Sequence, residues 1–227
     1  MPLADSEFSW KPVLLPLPET LRGHTVSLEP LNAANHTGDL WLAVQGHDEV
    51  WAYLADGPYA HEADLQRALA EKERGSAAQF FAIVPRTSGR VEGYASYMRM
   101  DPANGVIEVG NILLAPSLQR TINATEAMYL MARHVFEDLG YRRYEWKCNA
   151  NNEPSRRAAL RYGFTFEGIF RQHMIVKGQN RDTAWFSMLD SEWPARKTAF
   201  EAWLDPTNFD AAGKQRKSLV QLSGCTS

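Results

Sequence analysis

The hydrophobic pattern of the sequence changes its period near residue 120, and this change constrains the fold more than any other feature. Between residues 80 and 114, short runs of apolar, aromatic and β-branched residues are separated by turn sequences, which is typical of strands joined in hairpins. Downstream, apolar residues recur at helical spacing before another strand-like run. The predicted strands cover 80–84, 91–100, 106–114 and 143–148, the first three as an antiparallel meander.

The helical segment after this change has recognisable start and stop signals. Asn123 is followed three residues later by Glu126, which resembles a capping box, so we expect the helix to begin at Asn123. Gly140 supplies a C-terminal stop. The apolar positions at helical spacing are Ala124, Ala127, Met128, Met131, Val135 and Leu139.

The remaining pattern predicts one domain with an extension at each end. Residues 1–21 contain Pro2, Pro12, Pro16 and Pro18 and are expected to form an extended arm. The domain covers 22–204, and the polar segment 205–227 is expected to be a loose tail. Further strands are predicted over 25–30, 164–176 and 183–189, and further helices over 33–45, 62–74, 154–162 and 191–204.

Composition excludes several classes of protein. With 24 basic and 27 acidic side chains the net charge is -3, so no global positive field favours nucleic acid or an anionic membrane. Cys148 and Cys225 lack the spacing of a disulfide framework or zinc site, and no export signal or membrane-spanning run is visible. We therefore expect a cytoplasmic protein without a metal. Phosphate-binding Gly-Lys loops, paired-histidine zinc helices and Gly-x-Ser-x-Gly nucleophile turns are absent.

Two features suggest chemistry on physical grounds. The turn from Gln119 to Ala124 opens a helix, and the unpaired N–H groups of a first helical turn bind anions, although an ordinary capped helix needs no ligand. Glu108 lies among apolar residues in the middle of a predicted strand, where a carboxylate requires a reason. It is a candidate catalytic base or ammonium-binding group, or else it faces solvent or pairs with an arginine.

Several short motifs, in this order and spacing, resemble the GNAT acetyltransferase superfamily, especially the branch of the ribosomal-protein-alanine acetyltransferases. The similarity covers about residues 20–204. The motifs are Ile112-Leu113-Leu114, then Gln119-Arg120-Thr121-Ile122-Asn123-Ala124-Thr125, then Asn152-Glu153-Pro154-Ser155, then Tyr162-Gly163-Phe164, and then Glu167-Gly168 with Arg171. The resemblance implies a mixed, mostly antiparallel sheet of about seven strands flanked by helices, with a parallel pair in the centre.

The resemblance also implies acetyl-CoA as cosubstrate and a set of residues that bind it. The loop would hold the pyrophosphate through Gln119, Arg120, Thr121, Ile122, Asn123, Ala124 and Thr125, with Ile122 in place of a family glycine. Ile112, Leu113 and Leu114 would contact the acetyl group and the pantetheine arm, and Asn152 and Ser155 would contact the pantetheine amide and the region near the sulfur. A β-branched residue such as Ile122 does not readily adopt a positive φ, so this position departs from the family pattern.

The implied reaction is direct acetyl transfer to a primary amine, either a protein N-terminus or a small molecule. Glu108 is then the candidate general base and Ser155 the candidate general acid, because Ala159 stands where many relatives have a tyrosine. Gly110 marks a site where the strand could bulge near the thioester. The branch that the chain resembles includes dimers, so a homodimer is compatible. The alternative function is a non-catalytic acyl-CoA-binding module, which Ile122 and Ala159 motivate.

Overall fold

The computed structural model of the protein describes residues 10–224, and within them eight strands form one mixed sheet. The strand order is β1-β2-β3-β4-β5-β6-β8-β7, antiparallel throughout except for the β5–β6 pair. The strands are β1 (Leu21–Arg22), β2 (Val26–Pro30), β3 (Ala78–Pro85), β4 (Gly93–Asp101), β5 (Val106–Leu114), β6 (Arg143–Asn149), β7 (Thr165–Val176) and β8 (Gln179–Leu189). The predicted mixed α/β fold is confirmed, and the eighth strand is the two-residue β1.

The helices cover the two faces of the sheet unequally. The α-helices are α1 (Ala33–Val44), α2 (Glu62–Arg74), α3 (Ile122–Arg133), α4 (Glu153–Arg161), α5 (Trp193–Leu204) and α6 (Leu219–Leu222). Residues of α3 and α5 share one buried cluster with apolar side chains of the central strands, whereas α1 and α2 share a second cluster with β3, β4 and the end of β5. On this second side, α1 and α2 lie over the β3–β5 part of the sheet.

Helix α3 begins earlier than the sequence predicted. Its N-cap is Thr121, whose Oγ1 accepts a hydrogen bond from the Ala124 N–H at 3.1 Å. Glu126 does not close a capping box on Asn123, because its carboxylate accepts hydrogen bonds from the backbone N–H groups of His24 and Thr25, at 2.6 and 2.7 Å. The turn between β1 and β2 therefore binds Glu126, which the local spacing had predicted to cap the start of α3.

The C-terminal segment is packed, which corrects the expectation of a loose tail. Leu219 of α6 is buried in the same cluster as α5, and Ser218 and Gln221 form a capping box. The Trp203 Nε1–H donates to the Gln215 side chain at 2.7 Å, and the Trp203 ring meets Phe209 edge to face. The segment is polar in composition, so the sequence did not show that Phe209 and Leu219 would pack against α5.

The N-terminal arm has no helix or strand between residues 10 and 20. It follows the molecular surface, where the Leu14 carbonyl accepts a hydrogen bond from the Tyr141 hydroxyl at 3.2 Å. The expectations for residues 1–9 and for Cys225 lie outside the described residues. Across residues 10–224, none of the helices combines the length and the apolar character that crossing a membrane requires.

Candidate active site

Strands β5 and β6 separate halfway along their length. Their parallel pairing runs from Val106 opposite Arg143 to Val109 opposite Trp146, and the register records no pair beyond that point. Both strands continue, β5 to Leu114 and β6 to Asn149, each held only by its other neighbour. The sheet therefore contains a wedge-shaped split whose two inner edges are backbone.

A β-bulge shapes the β5 side of the split. Ser96 lies opposite Gly110 and Tyr94 opposite Leu113, so Asn111 and Ile112 together face one residue of β4. Asn111 has a φ of 49° and its side-chain amide donates to Ser96 Oγ at 3.1 Å. The sequence predicted a bulge near Gly110, and the structure has it one residue later. A bulge leaves ladder groups unpaired and redirects the strand, which suits it to hold a ligand.

The backbone of β5 beyond the bulge faces the open edge. The Ala115 N–H donates to the Glu92 carbonyl next to β4, and N–H directions alternate along a strand, so the Leu114 N–H points to the split. The Leu114 carbonyl also lies on this edge, where it accepts a hydrogen bond from the Gln119 side chain at 3.0 Å. The Leu114 backbone therefore borders the split, whereas the Leu113 side chain is fully buried in the cluster that contains α1 and α2. Contact of Ile112, Leu113 and Leu114 with a cosubstrate stays a prediction.

The loop before α3 presents free backbone donors. Arg120, with a φ of 63°, is its left-handed residue, whereas Ile122 is the first residue of the helix and packs against the core. In the described part of the chain, the N–H groups of Ile122 and Asn123 have no recorded acceptor, while the Ala124 donor is occupied by Thr121. The isoleucine therefore does not need the glycine-like conformation and does not block the helix terminus.

One cation lies beside this loop. The Arg161 guanidinium donates to Thr125 Oγ1 at 3.2 Å and stacks over the Trp203 ring, at 4.9 Å from its centroid. Burial lowers the pKa of Arg161, although the neighbouring Tyr162 opposes that effect. The Thr125 side chain is buried, and its hydroxyl accepts the hydrogen bond that holds Arg161 near the start of α3. This arrangement adds positive charge next to the free N–H groups of α3.

The start of α4 faces the β6 side of the split. Asn152 is the N-cap residue, and its side-chain oxygen accepts from the Ser155 N–H at 3.1 Å. Ser155 Oγ accepts a hydrogen bond from Trp146 Nε1 at 3.0 Å. Burial raises the pKa of the Cys148 thiol, with a nearby Ser155 hydrogen bond opposing it, so this cysteine is poorly suited to act as a nucleophile.

Glu108 is buried on the opposite face of the sheet from α3 and is held by two cations. The Arg99 guanidinium contacts both carboxylate oxygens, at 2.9 and 2.8 Å, and Lys147 Nζ lies 2.9 Å from Oε2. A Cβ on Gly110 would lie 3.3 Å from Oε1, which places this oxygen next to the bulge. The arginine pairing that the sequence left open is present, yet the carboxylate still lies beside the split.

The ion pairs continue across three strands as a chain of alternating charge. Lys147 Nζ also contacts Glu145 at 2.6 Å and lies 3.7 Å from the centroid of the Trp185 ring. Arg143 then joins Glu145 to Glu167, at 2.7 and 2.6 Å. The Arg143 hydrogen bonds lower the pKa of Glu167. Sequence reasoning missed this chain, although the alternation of charged and aromatic residues along β6 was a signal for it.

Arg99 reaches Glu108 because of a second bulge. Met98 lies opposite Glu108 and Asp101 opposite Val106, so Arg99 and Met100 face one residue of β5. Arg99 has a φ of 45°, which a non-glycine residue adopts only when its surroundings hold it there. Strict alternation would turn Arg99 away from Glu108, so no sequence pattern predicts this pair.

Comparisons with known proteins agree with this geometry. Residues 26–165 match the family model described as an acetyltransferase (GNAT) domain. A crystal structure of a GCN5-related N-acetyltransferase from Brucella melitensis superimposes with a TM-score of 0.93 at 50% identity, covering 95% of this chain and 99% of that one. The fold, the split and the helix terminus therefore define an acyltransferase class of protein. The chain belongs to the GNAT acetyltransferase family.

Two curated relatives carry more specific names. A Bacillus subtilis protein, YdaF, with a provisional name as a ribosomal N-acetyltransferase, is 25% identical over 177 residues, or 75% of this chain and 92% of that protein. The ribosomal-protein-serine acetyltransferase of Escherichia coli is 30% identical over 101 residues, or 44% of this chain and 56% of the relative. These names describe the relatives, and their acceptors enter here only as support for a proposal.

Proposed function

We propose that the protein is an acetyl-CoA-dependent N-acetyltransferase that transfers acetyl directly to a primary amine in a ternary complex. The observation that carries this proposal is the split between β5 and β6, which ends next to Glu108 on one side and leads to the free N–H groups of α3 on the other. Family membership supports acetyl transfer as the reaction class.

Acetyl-CoA would bind along one continuous backbone surface. The N–H groups of Ile122 and Asn123 would hold the diphosphate at the positive end of α3, with Arg120 and Arg161 nearby. The pantetheine arm would pair with β5 at Ile112 and Leu114, as an added strand does. Asn152 and Ser155 would contact it from α4. The remaining loop residues, Gln119, Thr121, Ala124 and Thr125, shape this surface.

The acetyl thioester supplies the electrophile, and the chain supplies orientation and polar groups. The amine nitrogen attacks the carbonyl carbon, the carbon–sulfur bond breaks, the proton leaves the nitrogen, and the thiolate takes up a proton. Backbone N–H groups at the bulge after Gly110 would stabilise the negative charge that develops on the carbonyl oxygen. Because a thiol with a pKa near about 8.5 is a good leaving group, Ser155 needs to contribute little as an acid.

Glu108 would bind the acceptor ammonium or accept its proton through Oε1. That oxygen has one recorded partner, Arg99, while Oε2 has two, so Oε1 retains capacity for the acceptor or a bridging water. An alkylammonium with a pKa near 10.4 is neutral in about one molecule per thousand at neutral pH, whereas an α-ammonium near 8 is neutral in about one in ten. The base therefore matters more for a lysine-like acceptor.

The acceptor is either a protein N-terminus or a small amine. The names of the YdaF and Escherichia coli relatives support a protein amine. The test is acetyl-CoA turnover against a panel of N-terminal peptides and small amines, with release of free thiol as the readout. We expect thiol release that depends on the acceptor. Tight coenzyme A binding without thiol release for any amine would overturn the proposal in favour of an acyl-CoA-binding module.

A further inference from the structure

Arg181 of β8 is a partly buried cation whose charge the structure leaves unbalanced. Its Nε is inaccessible to solvent and has no hydrogen-bond partner among the described residues, and no ion pair involves its guanidinium there. Burial lowers the pKa of Arg181, while Cys148, Arg99 and Glu108 are its charged neighbours. A buried N–H donor without an acceptor is costly, so the Arg181 Nε requires an explanation.

Arg181 lies at the split on the same side as Glu108. Along β8, Ala184, Phe186 and Met188 enter the core cluster, so the alternating positions Arg181, Thr183 and Trp185 face the other way. Trp185 is the partner of Lys147 in the register, and Lys147 in turn contacts Glu108. The register places Thr183 opposite Asn149, the last residue of β6, so Arg181 lies just past the end of β6 that is not paired with β5.

Every nearby carboxylate already has a cation or a hydrogen-bond donor other than Arg181. Glu108 is bound by Arg99 and Lys147, Glu145 by Lys147 and Arg143, and Glu167 by Arg143 and the Ser187 hydroxyl. The adjacent Asp182 accepts from the Gln172 N–H at 2.7 Å and from the Asn180 amide at 3.0 Å. Apart from Asp182, this surface therefore carries three carboxylates and four cations. The carboxylates are Glu108, Glu145 and Glu167, and the cations are Arg99, Lys147, Arg143 and Arg181.

A second donor on the same strand face also lacks an acceptor. The Trp185 Nε1–H is inaccessible to solvent and unpaired among residues 10–224. Its ring is held between Lys147, 3.7 Å from the centroid, and Phe170, with ring centroids 4.4 Å apart. Two buried donors with no acceptor, beside a surplus positive charge, match a ligand that brings oxygen acceptors and negative charge.

We propose that Arg181 binds a carboxylate of the acceptor, so the preferred substrates are amines that carry an acidic group near the reacting nitrogen. This inference rests on the proposed acetyltransferase function and names its substrate class. The planar guanidinium matches a carboxylate in a two-hydrogen-bond geometry, and Glu108 then faces the ammonium of the same molecule. The same surplus of positive charge disfavours polyamines and other polycations.

The shared chemistry of ammonium plus carboxylate occurs in free amino acids and in peptides with an acidic residue near the N-terminus. The test therefore uses the acetyl-CoA-loaded protein with matched acceptor pairs. One pair is an amino acid and its amide, the second is a peptide with Glu or with Gln at its second residue, and spermidine is the polycation. We expect acidic acceptors to have the higher kcat/KM, and the pair that responds identifies the source of the carboxylate.

The Arg181→Gln variant should remove this preference. Its KM for the acidic acceptor should rise by roughly 10- to 100-fold, the range for loss of a charged hydrogen bond, while the KM for acetyl-CoA and kcat/KM for neutral acceptors change less than about twofold. Arg181→Lys should restore part of the preference, because it keeps the charge and loses the planar fork. Arg67→Gln, which removes an exposed arginine of α2, is the control for net charge.

Three outcomes would overturn the inference. First, equal acetylation of acidic, neutral and polycationic amines by the wild-type protein would overturn the inference. That result would leave the proposed acetyltransferase function intact. A rise in the KM for acetyl-CoA alone would assign Arg181 to the cosubstrate. Calorimetric titration of acidic and neutral peptides into the coenzyme A-loaded protein is independent of turnover, so equal binding overturns the inference even if catalysis fails.

Discussion

The two sides of the split are built from different materials. On the side where we propose that acetyl-CoA binds, the donors are backbone N–H groups at a helix terminus and along a strand edge, around Ile122 and Leu114. On the proposed acceptor side, the polar groups are charged side chains from four strands, β4 to β7, joined through Glu108, Lys147 and Arg143. Backbone sites tolerate side-chain changes, whereas a buried ion-pair chain depends on each member. The difference predicts where substitutions will be most harmful.

The largest effect is expected for Lys147→Met, on stability. Lys147 is 4% exposed and contacts both Glu108 and Glu145, so its removal leaves two buried carboxylates each with one cation fewer. Loss of one partner from a buried pair costs about 3 kcal/mol or more. Urea unfolding should therefore show a lower midpoint at unchanged slope.

The matched control for Lys147 is an exposed pair. Arg67 contacts Asp64 on the surface of α2 with its side chain 77% exposed, and Arg67→Met should cost less than about 1 kcal/mol. If both variants lose the same free energy of unfolding, the ion-pair chain through Lys147 contributes no more than an exposed surface pair. That result would contradict the difference proposed between the two sides of the split.

The next effect is expected for Glu108→Gln, on catalysis. Removal of a general base costs about 100-fold or more, so kcat/KM should fall by that order at neutral pH. The deficit should shrink as pH rises, because the acceptor amine then loses its proton without help. It should also be greater for a lysine-like amine than for an α-amine. PH–rate profiles of both acceptors measure this.

A uniform loss at every pH would contradict the base role of Glu108. In that case its function would be to hold Arg99 and Lys147 in place. Urea unfolding of the same variant separates the two explanations, since a positioning role changes stability without changing the shape of the profile.

A smaller effect is expected for Ile122→Pro, which removes one backbone donor. Thr121 is extended, with φ −96° and ψ 167°, so proline fits at the first helical position without disturbing its predecessor. The KM for acetyl-CoA should rise by about 10-fold, and Ile122→Val controls for the side chain. Glu62→Pro makes the same change at α2 and should leave the KM unaltered; equal KM values for all three variants would argue against a diphosphate site at α3.

These predictions also mark the boundary of what the sequence could reveal. The antiparallel meander and the exact bounds of β5 and α2 follow from local periodicity and turn residues, whereas the parallel pair was implied only by the family resemblance, and the structure agrees with both. The predicted capping box at the start of α3 is absent, because Glu126 accepts hydrogen bonds from His24 and Thr25, about a hundred residues away in sequence. Local spacing cannot anticipate a partner of that kind.

The acceptor side was the least predictable part of the candidate site. Glu108 stood out as a carboxylate in an apolar strand, but Arg99 reaches it only through a bulge with a positive φ. Arg181 comes from a strand that pairs with β6 after two intervening elements. Ser155 stays a candidate that the sequence suggests, whereas its hydrogen bond from Trp146 depends on the packing of α4 on β6. Side-chain networks depend on register across the sheet, which no single segment encodes.

The smallest effect is expected for Ser155→Ala. A thiolate leaving group needs little protonation, so kcat should fall by less than about 10-fold, and the loss should appear mainly below the thiol pKa near 8.5. Stability should fall by about 1–3 kcal/mol, because Trp146 Nε1 loses its acceptor. A drop in kcat of several hundredfold would instead assign Ser155 an essential acid role.

A crystal structure of the protein with acetyl-CoA is the most direct test of the split as the acyl-donor site. The account predicts diphosphate oxygens within hydrogen-bond distance of the Ile122 and Asn123 N–H groups, and the thioester carbonyl beside β5 between Gly110 and Leu113. Coenzyme A bound elsewhere, or β5 and β6 paired beyond Val109 and Trp146 in that complex, would contradict it.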